Sequence, residues 1–213
     1  MANELALVAI AWHVVIALAL VVMLRGWRPS ARVTCVVLTA PILSVGLASL
    51  AYGNAFNAIS FMLLALVLAV LGDGLMAPHG GRGPSWTTWA GVAAMAFGLV
   101  YPHFVDGPWY RVLAAAPLGV VPCPTLSFVG GAVIVAGGFG SRAIPLVLAV
   151  WVAFYALFGI VQLGVTLDVG LLVAMVGLVA VLVHNAALAR RVHTTIYSAR
   201  NRAVRTSRRR LAP

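Results

Sequence analysis

The residues best suited to chemistry surround a short segment bracketed by prolines, Pro122-Cys123-Pro124-Thr125. A cysteine at a helix N-terminus is stabilised as a thiolate. Each proline lacks a backbone N–H and disfavours helix at the residue before it. Because proline is favoured in the first turn of a helix, we expect a non-helical approach and a helix that begins near Pro124. Pro122 and Pro124 thus predict a structural break that aims a helix N-terminus at a ligand, although a kink within one continuous helix is the alternative.

Further polar side chains fall at similar positions along neighbouring apolar segments. Polar groups at membrane depth are costly, so each of them marks a candidate site. We predict a ligand-binding pocket that is lined by Asn54, Asn57, His103, Asp106, Cys123, Thr125 and Asp168. The alternative is that some of these residues, the asparagines and Asp106 above all, only mark helix ends that water reaches.

Metal, haem and disulfide chemistry have little support in the sequence. No pair of ligands has a spacing such as CxxC or HxxxH, and His13, His103 and His184 fall at three different depths, which disfavours a bis-histidine haem. Cys35 and Cys123 are separated by about 18 Å in depth, whereas a disulfide needs Cα atoms within about 7 Å. GxSxG, HExxH, GxGxxG and P-loop motifs are absent too. We therefore predict no metal and no cofactor, and the absence of a catalytic motif favours a protein that is not an enzyme.

The elements that must position these residues are membrane helices. Of the 213 residues, 63% are hydrophobic and 8% charged, and the mean hydropathy of +1.06 excludes a soluble globular domain. Segments that can cross ~30 Å of hydrocarbon, or nearly so, predict seven transmembrane helices, at 4–24, 33–52, 58–75, 86–105, 117–139, 143–163 and 165–187. Six spans are the alternative, because the third is short and the last two are close together.

Charge predicts the direction of these spans. All 14 basic residues are arginines. With seven spans and a cytoplasmic C-terminus, thirteen arginines fall on the cytoplasmic side and only Arg111 outside, as the positive-inside rule requires. We therefore predict an all-α bundle with the N-terminus outside, one transmembrane domain over residues 1–189 and a disordered, basic cytoplasmic tail over residues 190–213.

The acids follow the opposite distribution. Three of the four, Glu4, Asp106 and Asp168, map to the outer side. Because Glu4 precedes the first apolar segment and no basic residue does, this segment is interpreted as a retained helix and not as a cleaved signal peptide.

The strongly basic character, with a pI near 11.3, does not indicate a nucleic-acid partner, because the arginines lie at the ends of apolar segments. Anionic lipid headgroups at the arginine-rich side are the expected partner. The tail is interpreted as an anchor of orientation, and a lipid- or partner-binding arm is the alternative. A chain rich in Ala, Val and Gly and free of lysine is typical of a GC-rich bacterial genome, which predicts the bacterial inner membrane as its location.

A family resemblance centres on the fifth span. The residues that carry the resemblance are Val100-Tyr101-Pro102, Ala116-Pro117-Leu118-Gly119-Val120, Pro122-Cys123-Pro124-Thr125, Gly130 and Asp168. With them the chain resembles, over roughly residues 54–180, the bacterial membrane family catalogued as domain of unknown function 6064. The most specific part of the resemblance is the PCPT core, and the family has no assigned activity. The resemblance thus implies a membrane fold and a polar role for position 123, but no reaction.

The sequence supports three functional hypotheses. The leading one is a non-enzymatic membrane protein that binds or translocates a small ligand or ion at an outer-half pocket around residues 122–125. The second is an accessory subunit whose helices pack on a larger membrane complex. The third is a membrane-embedded enzyme that uses Cys123 or the pair His103 and Asp168.

Overall fold

The computed structural model describes residues 2–27, 29–72 and 83–210, with the backbone alone for residue 31 and residues 192–210. Within these ranges the fold is all-α, as predicted. The helices are α1 Ala6–Leu24, α2 Ala31–Ala51, α3 Ala55–Gly72, α4 Ser85–Leu99, α5 Val112–Ala115, α6 Pro122–Val135, α7 Ala143–Gln162 and α8 Val169–Arg210. Most of the loop between the predicted third and fourth spans, with Arg82, lies outside the described residues.

Among the described residues, five helices are long and apolar enough to cross a membrane, namely α1, α2, α3, α7 and the first part of α8. The helices at the predicted fourth and fifth spans are shorter. α4 has 15 residues and α6 has 14, which corresponds to about 22 and 21 Å at 1.5 Å per residue. An all-α fold with several apolar helices is therefore confirmed, and two of the seven predicted spans contain less helix than their hydropathy suggested.

The helices α2 and α3 pack as an antiparallel pair, as do α7 and α8, which gives the bundle two ends. In the α2–α3 hairpin the Cys35 thiol donates to the Leu68 carbonyl oxygen at 3.7 Å. Between α3 and α7, Trp151 Nε1 donates to Ser60 Oγ at 3.1 Å. One end of the bundle is where α2 ends and where α6 and α8 begin, and we name it the site end. We name the opposite end the arginine end.

Charged residues separate between these two ends. Arg25, Arg32 and Arg142 lie at the arginine end, where α1 ends and where α2 and α7 begin. At the site end, Arg111 donates to the carbonyl oxygen of Asp106 at 3.4 Å. The three acids Glu4, Asp106 and Asp168 also lie at the site end, where Glu4 pairs with Tyr52. The described residues therefore show the separation of basic from acidic residues that the sequence predicted.

A line of small residues lets α4 and α6 approach closely. The buried residues of α4 are Thr87, Gly91, Ala94 and Gly98. A Cβ on Gly98 would lie 2.5 Å from the Pro124 carbonyl oxygen, which shows that the two backbones are nearly in contact. Ser127 of α6 also donates to the Ala94 carbonyl oxygen at 2.7 Å. Glycine at position 98 is thus a requirement of this interface.

A non-helical segment, residues 116–121, leads into α6, and its residues 116–120 are buried. Its Gly119 has a φ of +72°, and the Trp12 ring of α1 fills the space that a side chain would take. α6 begins at Pro122, slightly earlier than expected, because both prolines fit the first helical turn. The non-helical approach predicted from the prolines is therefore present.

The long final helix differs from the expectation for the tail. Residues 190–213 were expected to be disordered, but α8 continues to Arg210, and residues 211–213 lie outside the described residues. Arginine and alanine are strong helix formers. A chain that extends an existing helix also avoids the cost of nucleation, which accounts for the continued helix.

Candidate functional site

The centre of the candidate site is the buried carboxyl group of Asp168, which is 1% exposed. The Tyr101 hydroxyl donates to Oδ1 at 2.6 Å, and the Cys123 thiol donates to Oδ2 at 3.2 Å. Tyr101 follows α4, Cys123 lies in the first turn of α6, and Asp168 immediately precedes α8. Three separate elements therefore meet at one carboxyl group.

Gly159 of α7 creates the space that this carboxyl group occupies. A Cβ at this position would overlap the Asp168 carboxyl oxygen Oδ2. The Gly159 carbonyl oxygen also accepts the Val165 N–H at 2.9 Å, which closes the turn between α7 and α8. At Gly159, α7 thus contributes to the site through a missing side chain and a backbone hydrogen bond.

A cavity of about 250 Å³, named here the site cavity, opens beside the carboxyl group. Its polar lining consists of Asn57, Cys123, Tyr155 and Asp168. The Tyr155 hydroxyl donates to Asn57 Oδ1 at 2.8 Å, and the Phe61 ring packs edge-on against Tyr155 with ring centroids 5.2 Å apart. The tyrosine ring is therefore held in place on one wall.

Side chains near the surface border the site cavity. Phe104 and Leu163 line it and are 41% and 59% exposed. Phe104 has a φ of 74°, a left-handed conformation that is rare for a bulky residue. The neighbouring His103 ring packs against Phe104 with centroids 4.1 Å apart. Strained backbone of this kind is found at ligand clamps and switch regions, which is consistent with a mouth at the site end.

Three of the seven predicted site residues line this cavity together, namely Asn57, Cys123 and Asp168. Asn57 belongs here and does more than mark a helix end. His103 lies next to the border residue Phe104 and is not part of the cavity lining. The structure therefore brings together residues of α3, α6 and the start of α8, and the pocket that these residues would form for a ligand stays a prediction.

The remaining three make hydrogen bonds outside the site cavity. Asn54 Oδ1 accepts the Asn57 N–H at 3.0 Å, as a cap of α3. Asp106 is exposed, and its N–H donates to Asn3 Oδ1 at 3.1 Å. The buried Thr125 hydroxyl accepts the Gly119 N–H and donates to the Val121 carbonyl oxygen, both at 2.8 Å. Its role is to hold the non-helical segment in place.

Tyr101, Tyr155 and Gly159 belong to the site but were not among the predicted site residues. Tyr101 lies in the Tyr-Pro pair that the family resemblance includes. Tyr155 places a hydroxyl within an apolar span, and Gly159 follows it by four residues on the same helix face. These signals were present in the sequence, but they do not show which residues these three would contact.

Metal-ligating side chains do not cluster in the part of the chain that the structure describes. There, no group of three or more His, Cys, Asp or Glu side chains could hold a metal ion. Within the same part of the chain, neither Cys35 nor Cys123 forms a disulfide bond. The partner of the Cys123 thiol is the carboxyl group of Asp168.

Comparisons of the chain with protein families, with curated proteins and with solved structures find no match. The resemblance to the family of unknown function therefore stays a prediction, and the geometry of the site is the basis on which a function can be proposed.

Proposed function

We propose that this chain is a multi-pass membrane protein that binds a small ligand or ion in the site cavity. The observation that carries the proposal is the buried carboxyl group of Asp168 beside about 250 Å³ of open space. Burying a charged group costs several kcal/mol unless it is paired, and intramembrane acids are typically found where they act on a ligand or an ion. Binding is also the first step of any translocation.

The proposed membrane arrangement has seven crossings, with the site end outside and the arginine end in the cytoplasm of a bacterial cell. In this arrangement, α4 and α6 are short helices, and the irregular segments at the site end complete their crossings of the membrane. Non-helical backbone at membrane depth is tolerated only where protein buries it or where it lines a cavity. The burial of residues 116–120 supports this arrangement.

Access to the site cavity can be tested by cysteine labelling. Val165 lines the cavity and Val152 lies in the core of α7, and both are buried, at 7% and 0% exposure. In a background with Cys35→Ser and Cys123→Ser, we expect Val165→Cys to react with methyl methanethiosulfonate in the folded, membrane-embedded protein. Val152→Cys should react at least tenfold more slowly, because the side chain at this position is packed within the hydrophobic core. Intact-mass spectrometry measures both rates.

The proposed function fails if Val165→Cys reacts only after the protein is unfolded in SDS, as Val152→Cys should. The serine at position 123 keeps a donor for Asp168, so the background variant preserves the hydrogen bond at the centre of the site. Its melting temperature checks this directly.

The proposed orientation has its own test in the full-length chain. Gly53 lies in the exposed α2–α3 turn at the site end, and a Cβ there would meet no atom within 4 Å. We expect an epitope inserted at Gly53 to bind antibody on intact spheroplasts, and an epitope at the C-terminus to bind only after permeabilisation. The reverse pattern, or equal access for both epitopes, would contradict the orientation.

A further inference from the structure

The electrostatic character of the site cavity is negative. Among the described residues, Asp168 is the one acid in its lining, and no arginine or histidine lines it. Cys123 and Tyr101 each donate one hydrogen bond to the carboxyl group. A carboxylate offers about four acceptor sites, so two remain for a ligand that donates.

The size and the walls of the cavity disfavour a bare metal cation. Hard cations such as Ca²⁺ and Mg²⁺ take six or more oxygen ligands. Of the residues that the structure describes, only Asn57, Tyr155 and Asp168 bring side-chain oxygens to the lining, and the first two bond each other. A cavity of about 150 Å³ holds benzene, so about 250 Å³ has room for a ring with a short chain.

The remaining walls suit an apolar body with a positive end. Tyr155 and Phe158 place aromatic rings on α7, one turn apart, and Val165 adds an aliphatic surface. Apolar walls stabilise hydrocarbon that leaves water. Because Phe61 and Asn57 already hold Tyr155 in place, this side chain loses little conformational entropy when a ligand binds.

We infer that the ligand of the site cavity is a small organic ammonium ion, with its charged group at Asp168 and its hydrocarbon part against Tyr155, Phe158 and Val165. This inference rests on the proposed function, because it names the chemical class of the ligand at that same site. The ammonium donates to the two carboxylate positions that Tyr101 and Cys123 leave open.

The test compares three probes of similar shape and different charge: 2-phenylethylammonium, the neutral 2-phenylethanol and the anionic 3-phenylpropanoate. Isothermal titration calorimetry on the full-length protein in detergent micelles measures their dissociation constants. We expect the ammonium to bind in a saturable manner, at least tenfold more tightly than the alcohol and more tightly still than the carboxylate. Asp168→Asn should weaken binding of the ammonium at least tenfold, because the amide keeps the shape but removes the charge.

Asp106→Asn is the matched control, because Asp106 is an exposed acid at the same end of the bundle. It should leave all three dissociation constants within twofold. The comparison of probes on the unchanged protein keeps the test decisive even if Asp168→Asn does not fold.

Two outcomes separate the inference from the proposed function. If the alcohol binds as tightly as the ammonium, or if Asp168→Asn and Asp106→Asn weaken the ammonium equally, the inference is overturned while a ligand cavity remains. If no probe binds although Val165→Cys is labelled, the cavity is open but this ligand class is wrong. Failure of the labelling itself would remove the proposed function as well.

Discussion

Replacing Asp168 with alanine should lower the free energy of unfolding by about 3 kcal/mol, because two buried donors lose their acceptor. Tyr101 is 0% exposed and Cys123 is 8% exposed, so water cannot readily replace the carboxyl group for the tyrosine hydroxyl. Titration of the detergent-solubilised protein with SDS, followed by circular dichroism, measures the change.

A second substitution distinguishes the lost hydrogen bond from simple loss of packing. In the Asp168→Ala background, Tyr101→Phe removes the hydroxyl that has lost its acceptor and should recover about 1 kcal/mol. In the natural protein the same Tyr101→Phe change should instead cost about 1 kcal/mol, because it breaks the 2.6 Å bond to Oδ1. The opposite signs are the signature of direct coupling.

Asp106→Ala is the control for loss of an acid at the site end. Its side chain is exposed, so we expect a change within about 0.5 kcal/mol. Equal effects of Asp168→Ala and Asp106→Ala, or additive effects of Tyr101→Phe and Asp168→Ala, would show that the buried hydrogen bond does not stabilise the fold.

Gly98→Ala should destabilise the bundle by about 2 kcal/mol, even though alanine favours helix over glycine by about 1 kcal/mol. The added Cβ would lie 2.5 Å from the Pro124 carbonyl oxygen and 2.8 Å from the Phe128 nitrogen. Both are backbone atoms of α6, so no side-chain rotation relieves the contact, and α4 and α6 must separate. The same SDS titration measures the loss, and Tyr101, which follows α4, should shift away from Asp168.

Gly130→Ala is the matched control, a buried helical glycine in α6 itself. There a Cβ would meet its nearest atom, of Leu178, at 3.6 Å, an ordinary contact distance. We expect this variant to be as stable as the natural protein or slightly more stable. A Gly98→Ala protein that matches it in stability would contradict the close approach of α4 and α6.

Local chemistry explains what could be predicted from the sequence. Hydropathy identifies apolar helices because the cost of burying unpaired backbone groups leaves few alternatives to helix. The non-helical approach to α6 was predictable because the effects of Pro122 and Pro124 act on their own backbone and their nearest neighbours. Hydropathy predicts the ends of helices less well. The fourth span was expected to reach residue 105, but α4 ends at Leu99. Apolar residues in an irregular segment raise the mean hydropathy as much as helical ones do.

Which polar residues meet depends on tertiary structure. Asn54 and Asn57 are three residues apart, yet Asn54 caps α3 and Asn57 faces Tyr155 of α7. The rotation of a helix about its axis decides this difference, and packing against other helices sets that rotation.

The sequence by itself determined an all-α, apolar chain with basic and acidic residues on opposite sides and a non-helical segment before Pro122, because composition, charge and proline act locally. Only the tertiary structure decided that Asp168 would be bonded by Tyr101 and Cys123 in a space left by Gly159. These four residues come from four elements, and no spacing along the chain encodes their distances. The glycine matters through the atoms that it lacks, and such an absence acquires meaning only when another residue occupies the space.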